Sequence, residues 1–152
     1  MLLPNMKLTT QGHYSVKALL DLRCNGCDRP VSVREIAQRQ HLPAPYLEKL
    51  LMRLRQAGIV HSVRGAQGGY QLARSPEKIC LGDILEAVGE TLDPLPHHHP
   101  DAELAEDWVT FVLWNQLHQK LKQALDRISL EDLYHDARSW QAAQGEQASF
   151  VV

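Results

Sequence analysis

Residues 32–74 read SVREIAQRQHLPAPYLEKLLMRLRQAGIVHSVRGAQGGYQLAR. The stretch opens on a capping box. The Ser32 hydroxyl can accept from the Glu35 amide while the Glu35 carboxylate reaches back to the Ser32 amide, so a helix is predicted over 32–40. Val33, Ile36 and Ala37 give it a short apolar face, and His41-Leu42-Pro43 breaks it. A second helix is predicted from about Ala44 to Ala57, with Leu47, Leu50, Leu51 and Leu54 on one side and Tyr46, Lys49, Arg53 and Arg55 available to water or phosphate. Gly58 tolerates positive φ and stops that helix. Ile59–Val63 and Tyr70–Ala73 then flank the glycine-rich RGAQGG, which predicts a β-hairpin with Arg64 at its tip.

Two short helices joined by a tight turn, the second one basic, form a helix-turn-helix pattern. A hairpin placed directly after the second helix gives the order of a winged helix. The expected fold is therefore mainly α with a small β-hairpin wing: a winged helix-turn-helix plus a long dimerisation helix.

Working outward, residues 9–24 form a helix with Tyr14, Ala18, Leu19 and Leu22 on one face, ended by NGCDRP. Residues 81–90 (LGDILEAVGE) form a short amphipathic helix. Residues 107–128 form a long one, in which Phe111, Trp114, Leu117, Leu121, Leu125 and Ile128 repeat at near-heptad spacing. Trp108, Val112 and Leu113 widen its apolar surface, so a homodimer through residues 107–128 is predicted. Ser129-Leu130-Glu131-Asp132 caps a last, short helix, and after Trp140 the tail is expected to be loosely ordered. The expected organisation is a DNA-binding domain over 6–90, a loop over 91–106, the dimerisation helix and short helix over 107–138, and a tail over 139–152.

Composition bounds the function. The chain has 152 residues, 44% hydrophobic and 22% charged, as in ordinary globular proteins. No run approaches the roughly 18 consecutive apolar residues of a membrane span, and MLLPNMK lacks a signal peptide's pattern, so a cytoplasmic protein is expected. The net charge of −2 hides an asymmetry. Residues 7–80 carry twelve Lys/Arg against five Asp/Glu, a net of +7, and the following residues carry four against thirteen, a net of −9. A basic half facing a polyanion fits this split. The three cysteines, Cys24, Cys27 and Cys80, argue against a disulfide framework. Cys24-Asn-Gly-Cys27 reads as a redox pair, as half a zinc site or as two ordinary thiols. It lacks the βαβ context of a dithiol enzyme, and no other catalytic constellation is visible. Cys80, between Ile79 and Leu81, is expected to be buried and inert.

These residues resemble the bacterial regulators related to IscR, NsrR and CymR. The likeness runs through MKLTTQGHYSVKALLDL, through the 33–74 stretch with its YLEKLLMRLRQAGIVHSVRGAQGGYQLA, and through ICLGDILEAVGE. The resemblance implies a homodimeric winged-helix transcription regulator on a pseudo-palindromic operator in double-stranded DNA. By matching positions, Pro45, Tyr46, Glu48 and Lys49 would serve major-groove and phosphate contacts, and Arg64 would enter the minor groove. Arg53, Gly65, Lys7 and Thr9 complete the expected DNA-binding set.

Relatives with an iron–sulfur cluster hold it with three cysteines in the loop after the LGDILEAV-like helix. Here that loop reads LDPLPHHHPDAELAED and has no cysteine, which excludes an all-cysteine cluster within it. Three readings stay open. The loop is a solvated connector. Alternatively, His13 and two of His97, His98 and His99, with or without Cys80, hold an iron–sulfur cluster or a metal ion. In the third reading the clustered imidazoles form a pH or small-molecule switch. A clusterless regulator answering a small molecule or partner protein is the alternative function.

Overall fold

The computed structural model describes residues 10–90 and 103–149, the last few as backbone alone. The expected phosphate contacts Lys7 and Thr9, and His97, His98 and His99, lie outside the described residues. The order is α1 (Thr10–Asn25), α2 (Val33–Gln40), α3 (Ala44–Gln56), β1 (Val60–Val63), β2 (Gly69–Leu72), a 3₁₀ turn (Pro76–Lys78), α4 (Leu81–Ala87), α5 (Ala105–Asp126) and α6 (Leu130–Ser149).

The capping box forms as expected. Glu35 N donates to Ser32 Oγ at 3.2 Å and Ser32 N donates to Glu35 Oε2 at 2.9 Å. The break after α2 is made by His41, a non-glycine residue at φ 55°, while Leu42 N donates to Ala37 O at 2.9 Å. Histidine is among the few side chains enriched in this left-handed region. Gly58, at φ 72°, ends α3. The core collects Ala18, Leu19 and Leu22 of α1, Ile36 of α2, the four leucines of α3, Ile59, Val60, Ile79, Ile84, Leu85 and Leu130.

The hairpin is antiparallel, pairing Val60 with Leu72 and Val63 with Gly69. It does not stand alone. Val31 N donates to Tyr70 O at 3.0 Å and Tyr70 N to Val31 O at 2.8 Å, so the strand before α2 closes onto β2. A side chain at Gly69 would collide with the Val31 carbonyl, and this close approach requires glycine there.

Long-range charged contacts join α1 to the rest. Asp21 is buried, and its carboxylate accepts from Arg39 Nε at 3.0 Å, Arg39 Nη2 at 2.7 Å and Gln40 Nε2 at 2.9 Å. Lys17 Nζ caps α2 at Gln40 O, 2.7 Å away. At the other end of α1, Arg23 donates to both Glu131 oxygens, at 2.7 and 2.9 Å, and lies 4.1 Å from the Tyr134 ring centre.

Three expectations are corrected. α6 is not short: it runs 20 residues, and Gln141, Ala142, Ala143 and Gln144 of the expected tail are helical. Those residue types have high or adequate helix propensity, so the backbone continues without a buried anchor. Cys80 is half-buried, not buried. Its sulfur caps α4, accepting from Asp83 N at 3.4 Å, and lies 3.7 Å from Asp126 Oδ1, so it sits at the junction with α5. The long helix begins and ends two residues earlier than expected, and no residue of α5 is fully buried. It packs against α4.

Two outcomes test these couplings. Replacing Arg39 with alanine leaves Asp21 buried with Gln40 alone, and is expected to lower the unfolding free energy by about 2 kcal/mol in urea titrations. Arg29, then the Ser32 amide and hydroxyl, hold the Glu35 carboxyl at about 2 against its ordinary 4.5. A depressed carboxyl contributes stability that is complete above the ordinary value and is lost as pH falls from there toward the native value. The stability gap between the native chain and Glu35→Ala should therefore close as urea midpoints are followed down from about pH 6 to about pH 2.

Candidate nucleic-acid interface

One side of α3 is spent on the core, so the other side is fixed by helical geometry. Pro45, Glu48, Lys49 and Met52 are exposed there. Pro45 sits at the second helical position, where its missing N–H costs nothing. Tyr46 is half-buried against the core, its ring edge-on to Tyr14 at 5.7 Å and 83°. Its ring body is thus committed to the α1–α3 contact.

The wing presents a second surface. His61 to Gln67 are all exposed, and Gly65 has φ 115°, a conformation that favours glycine at the tip. Arg55 Nη1 donates to Ser62 Oγ at 3.1 Å and ties the end of α3 to β1. α3 and the wing are therefore joined by that bond as well as by chain.

The basic half sorts into two groups. Arg23 and Arg39 pair with Glu131 and Asp21, and Arg29 with Glu35 at 2.8 Å. Arg74 donates to Gly58 O and Ala57 O, each at 3.1 Å, where the end of α3 leaves carbonyls without helical partners. Arg53, expected among the DNA contacts, is exposed but reaches across to the end of α4 and to α1. Its Nη1 donates to Val88 O at 2.9 Å and Gln11 Oε1 at 3.2 Å. The side chains of Lys49 and Arg64 make no hydrogen bond or ion pair with the described residues, and neither does that of exposed Arg34 on α2. Arg34 escaped the sequence reading, although its place beside the capping box and opposite the apolar face of α2 marks it as outward. The net charge of residues 7–80 thus overstates what a phosphate backbone can meet.

Of the expected metal ligands, His13 and Cys80 lie among the described residues. His13 is exposed on α1, its ring 6.0 Å from Tyr14. Cys80 caps α4 beside Asp126. Cys24 and Cys27 are exposed at the end of α1, and Cys27 Sγ donates to Arg23 O at 3.4 Å. Partial loss of solvent, with Asp21 nearby, pushes the Cys24 thiol up, and partial loss of solvent likewise pushes up Cys80. Among the described residues no group of three or more His, Cys, Asp and Glu side chains could hold a metal ion. The cysteines do not fit a four-thiolate cluster, and a histidine-containing site would have to draw on His97, His98 and His99, outside the described residues.

No described helix is long and apolar enough to cross a membrane.

Comparison with known proteins agrees with this geometry. A family profile described as Rrf2, iron-dependent transcriptional regulator, matches residues 8–136. The Synechocystis sp. protein slr0846, named as an HTH-type transcriptional regulator, is 60% identical over 147 residues, 97% of this chain and 100% of that one. The HTH-type transcriptional regulator IscR of Aliivibrio salmonicida is 39% identical over 132 residues, covering 86% of this chain and 79% of that one. Among solved structures, T. potens IscR superposes with a TM-score of 0.71 at 41% identity, covering 90% of this chain and 92% of that one. CymR, the global cysteine regulator of B. subtilis, gives 0.72 at 33% identity, with 86% and 98% covered. These are regulators and not enzymes, which sets aside the dithiol-enzyme reading of Cys24 and Cys27. With the matched profile spanning most of the chain and the same winged-helix architecture in the solved relatives, this chain belongs to the Rrf2 family of transcriptional regulators.

Proposed function

We propose that this regulator binds a pseudo-palindromic operator as a homodimer, placing the outer face of α3 in the major groove and the wing tip in the minor groove. The observation that carries the reading is the pairing of Lys49 and Arg64. Both are exposed, neither has a partner among the described residues, and they lie on elements joined through Arg55 and Ser62. Lys49 suits a phosphate, Glu48 can accept from a cytosine amino group, and the Arg64 guanidinium suits a narrow groove of negative potential. Pro45, Tyr46 and Gly65 shape these surfaces, and the family resemblance adds Lys7 and Thr9 as phosphate contacts.

The dimer reading rests on α5. Trp108, Val109, Leu113, Trp114 and Leu117 are each at least 40% exposed, an apolar area a second copy of the helix would cover. For the signal, the family description and the IscR relatives favour a response to iron, iron–sulfur or redox status through His13, His97, His98, His99 and Cys80. The absence of cysteine from residues 91–106 favours the second reading, a clusterless regulator answering a small molecule or partner protein. A cytoplasmic location follows from the regulator's role.

Gel shifts against the region upstream of its own gene test the DNA reading. No specific shift, with metal-loaded or metal-free protein, would sink it. Lys49→Ala is expected to weaken binding on every sequence alike and to reduce the salt slope by about one counterion, while Glu48→Ala relaxes preference at one base pair by about 1–3 kcal/mol. Leu117→Glu should convert the dimer to a monomer in sedimentation runs. Anaerobic purification followed by visible spectroscopy and iron and zinc analysis decides the signal: a colourless, metal-free protein removes the histidine-ligated site.

A further inference from the structure

The bonds that exposed Arg53 makes to Val88 O and Gln11 Oε1 place it in a chain of contacts that neither DNA binding nor the core requires. Its anchor, Val88 O, lies at the end of α4, where carbonyls lack helical partners and a guanidinium is held by a charge-assisted bond. Two residues on, Glu90 Oε1 accepts from Gly12 N at 2.9 Å in the first turn of α1, where a carboxylate is favoured. Between them Gly89, at φ 78°, reverses the chain, with Gly89 N on Glu86 O and Glu90 N on Leu85 O, each at 3.0 Å. The fit is close: a side chain at Gly12 would meet Leu85 Cδ2 at 2.7 Å. The three residues 88–90 thus hold the end of the recognition helix by a carbonyl and the start of α1 by a carboxylate. They are also the residues from which the 91–102 segment leaves.

We infer that Arg53 is a positioning residue that ties the orientation of the recognition helix to the backbone at Val88–Glu90. The inference rests on the DNA-binding reading above. The leucine face sets which side of α3 points inward. The directional bond from Arg53, one turn beyond Lys49, adds a specific link from that helix to the end of α4. Whatever acts on the chain beyond Glu90 moves the anchor of Arg53, and with it the Glu48–Lys49 face. Linkage makes the effect reciprocal: DNA held by α3 must alter the local stability of residues 84–90.

Hydrogen exchange on the full-length protein, with and without a duplex selected from a randomised library, tests this. In the native chain, saturating duplex is expected to slow exchange over 84–90 by about threefold. In Arg53→Met that slowing disappears and affinity falls about tenfold with the salt slope unchanged, while Arg53→Lys restores most of both. A salt slope shallower by about 0.9 in Arg53→Met, with the slowing over 84–90 retained, makes Arg53 a phosphate contact and overturns the inference. Should Arg53→Met fail to fold by circular dichroism, Glu90→Ala, which removes the acceptor of the Gly12 amide, carries the test. Weaker DNA binding with loss of the slowing over 84–90 supports the link, and unchanged affinity with unchanged slowing overturns it. A duplex bound tightly by the native chain without any change over 84–90 overturns the link alone, whereas failure to select any duplex overturns the DNA reading with it.

Discussion

Burial of Leu47, Leu50, Leu51 and Leu54 along one side of α3 is the constraint on which the rest depends. Each leucine contributes roughly 2 kcal/mol on leaving water, and together they fix which side of the helix faces inward. The opposite side is then determined without further instruction. Glu48 and Lys49 are presented because their neighbours are hidden. α1 and α2 supply the surface these leucines need, and the hairpin is held where α3 ends.

Hydrophobic packing is non-directional, and the molecule adds directed bonds where direction matters. Asp21 fixes α1 against α2. Arg23 fixes α1 against α6. Arg55 fixes the wing against α3, and Arg74 closes the carbonyls at the end of that helix. Arginine suits this work because its planar fork reaches carboxylates and carbonyls in set geometries. A basic domain of this kind therefore contains two populations of positive charge, one structural and one facing solvent, which respond differently to salt.

Much of this was legible in the sequence, and the reason is local. The capping box, the stop at Gly58, the leucine spacing and the glycine-rich turn are each set by residues within a few positions of one another, and each appears where expected. What escaped was set at long range. Nothing near Arg53 in sequence announces Val88, which is 35 residues away, and nothing near Arg23 announces Glu131, 108 residues away. Cys80 looked buried between Ile79 and Leu81, yet the capping position turns its sulfur toward Asp126. The length of α6 was missed because burial was sought where propensity sufficed. The histidine run between Pro96 and Pro100 lies outside the described residues, so its role rests on sequence alone.

The two hydrogen bonds between Val31 and Tyr70 give the wing a foundation separate from its tip. Below Gly69 the hairpin is stitched to the strand leading into α2 and cannot change length without disturbing the core. Above it, residues 64–67 are exposed. The wing therefore behaves as a fixed socket carrying an interchangeable bit. The tip can be lengthened, shortened or recharged without disturbing the bonds at its base.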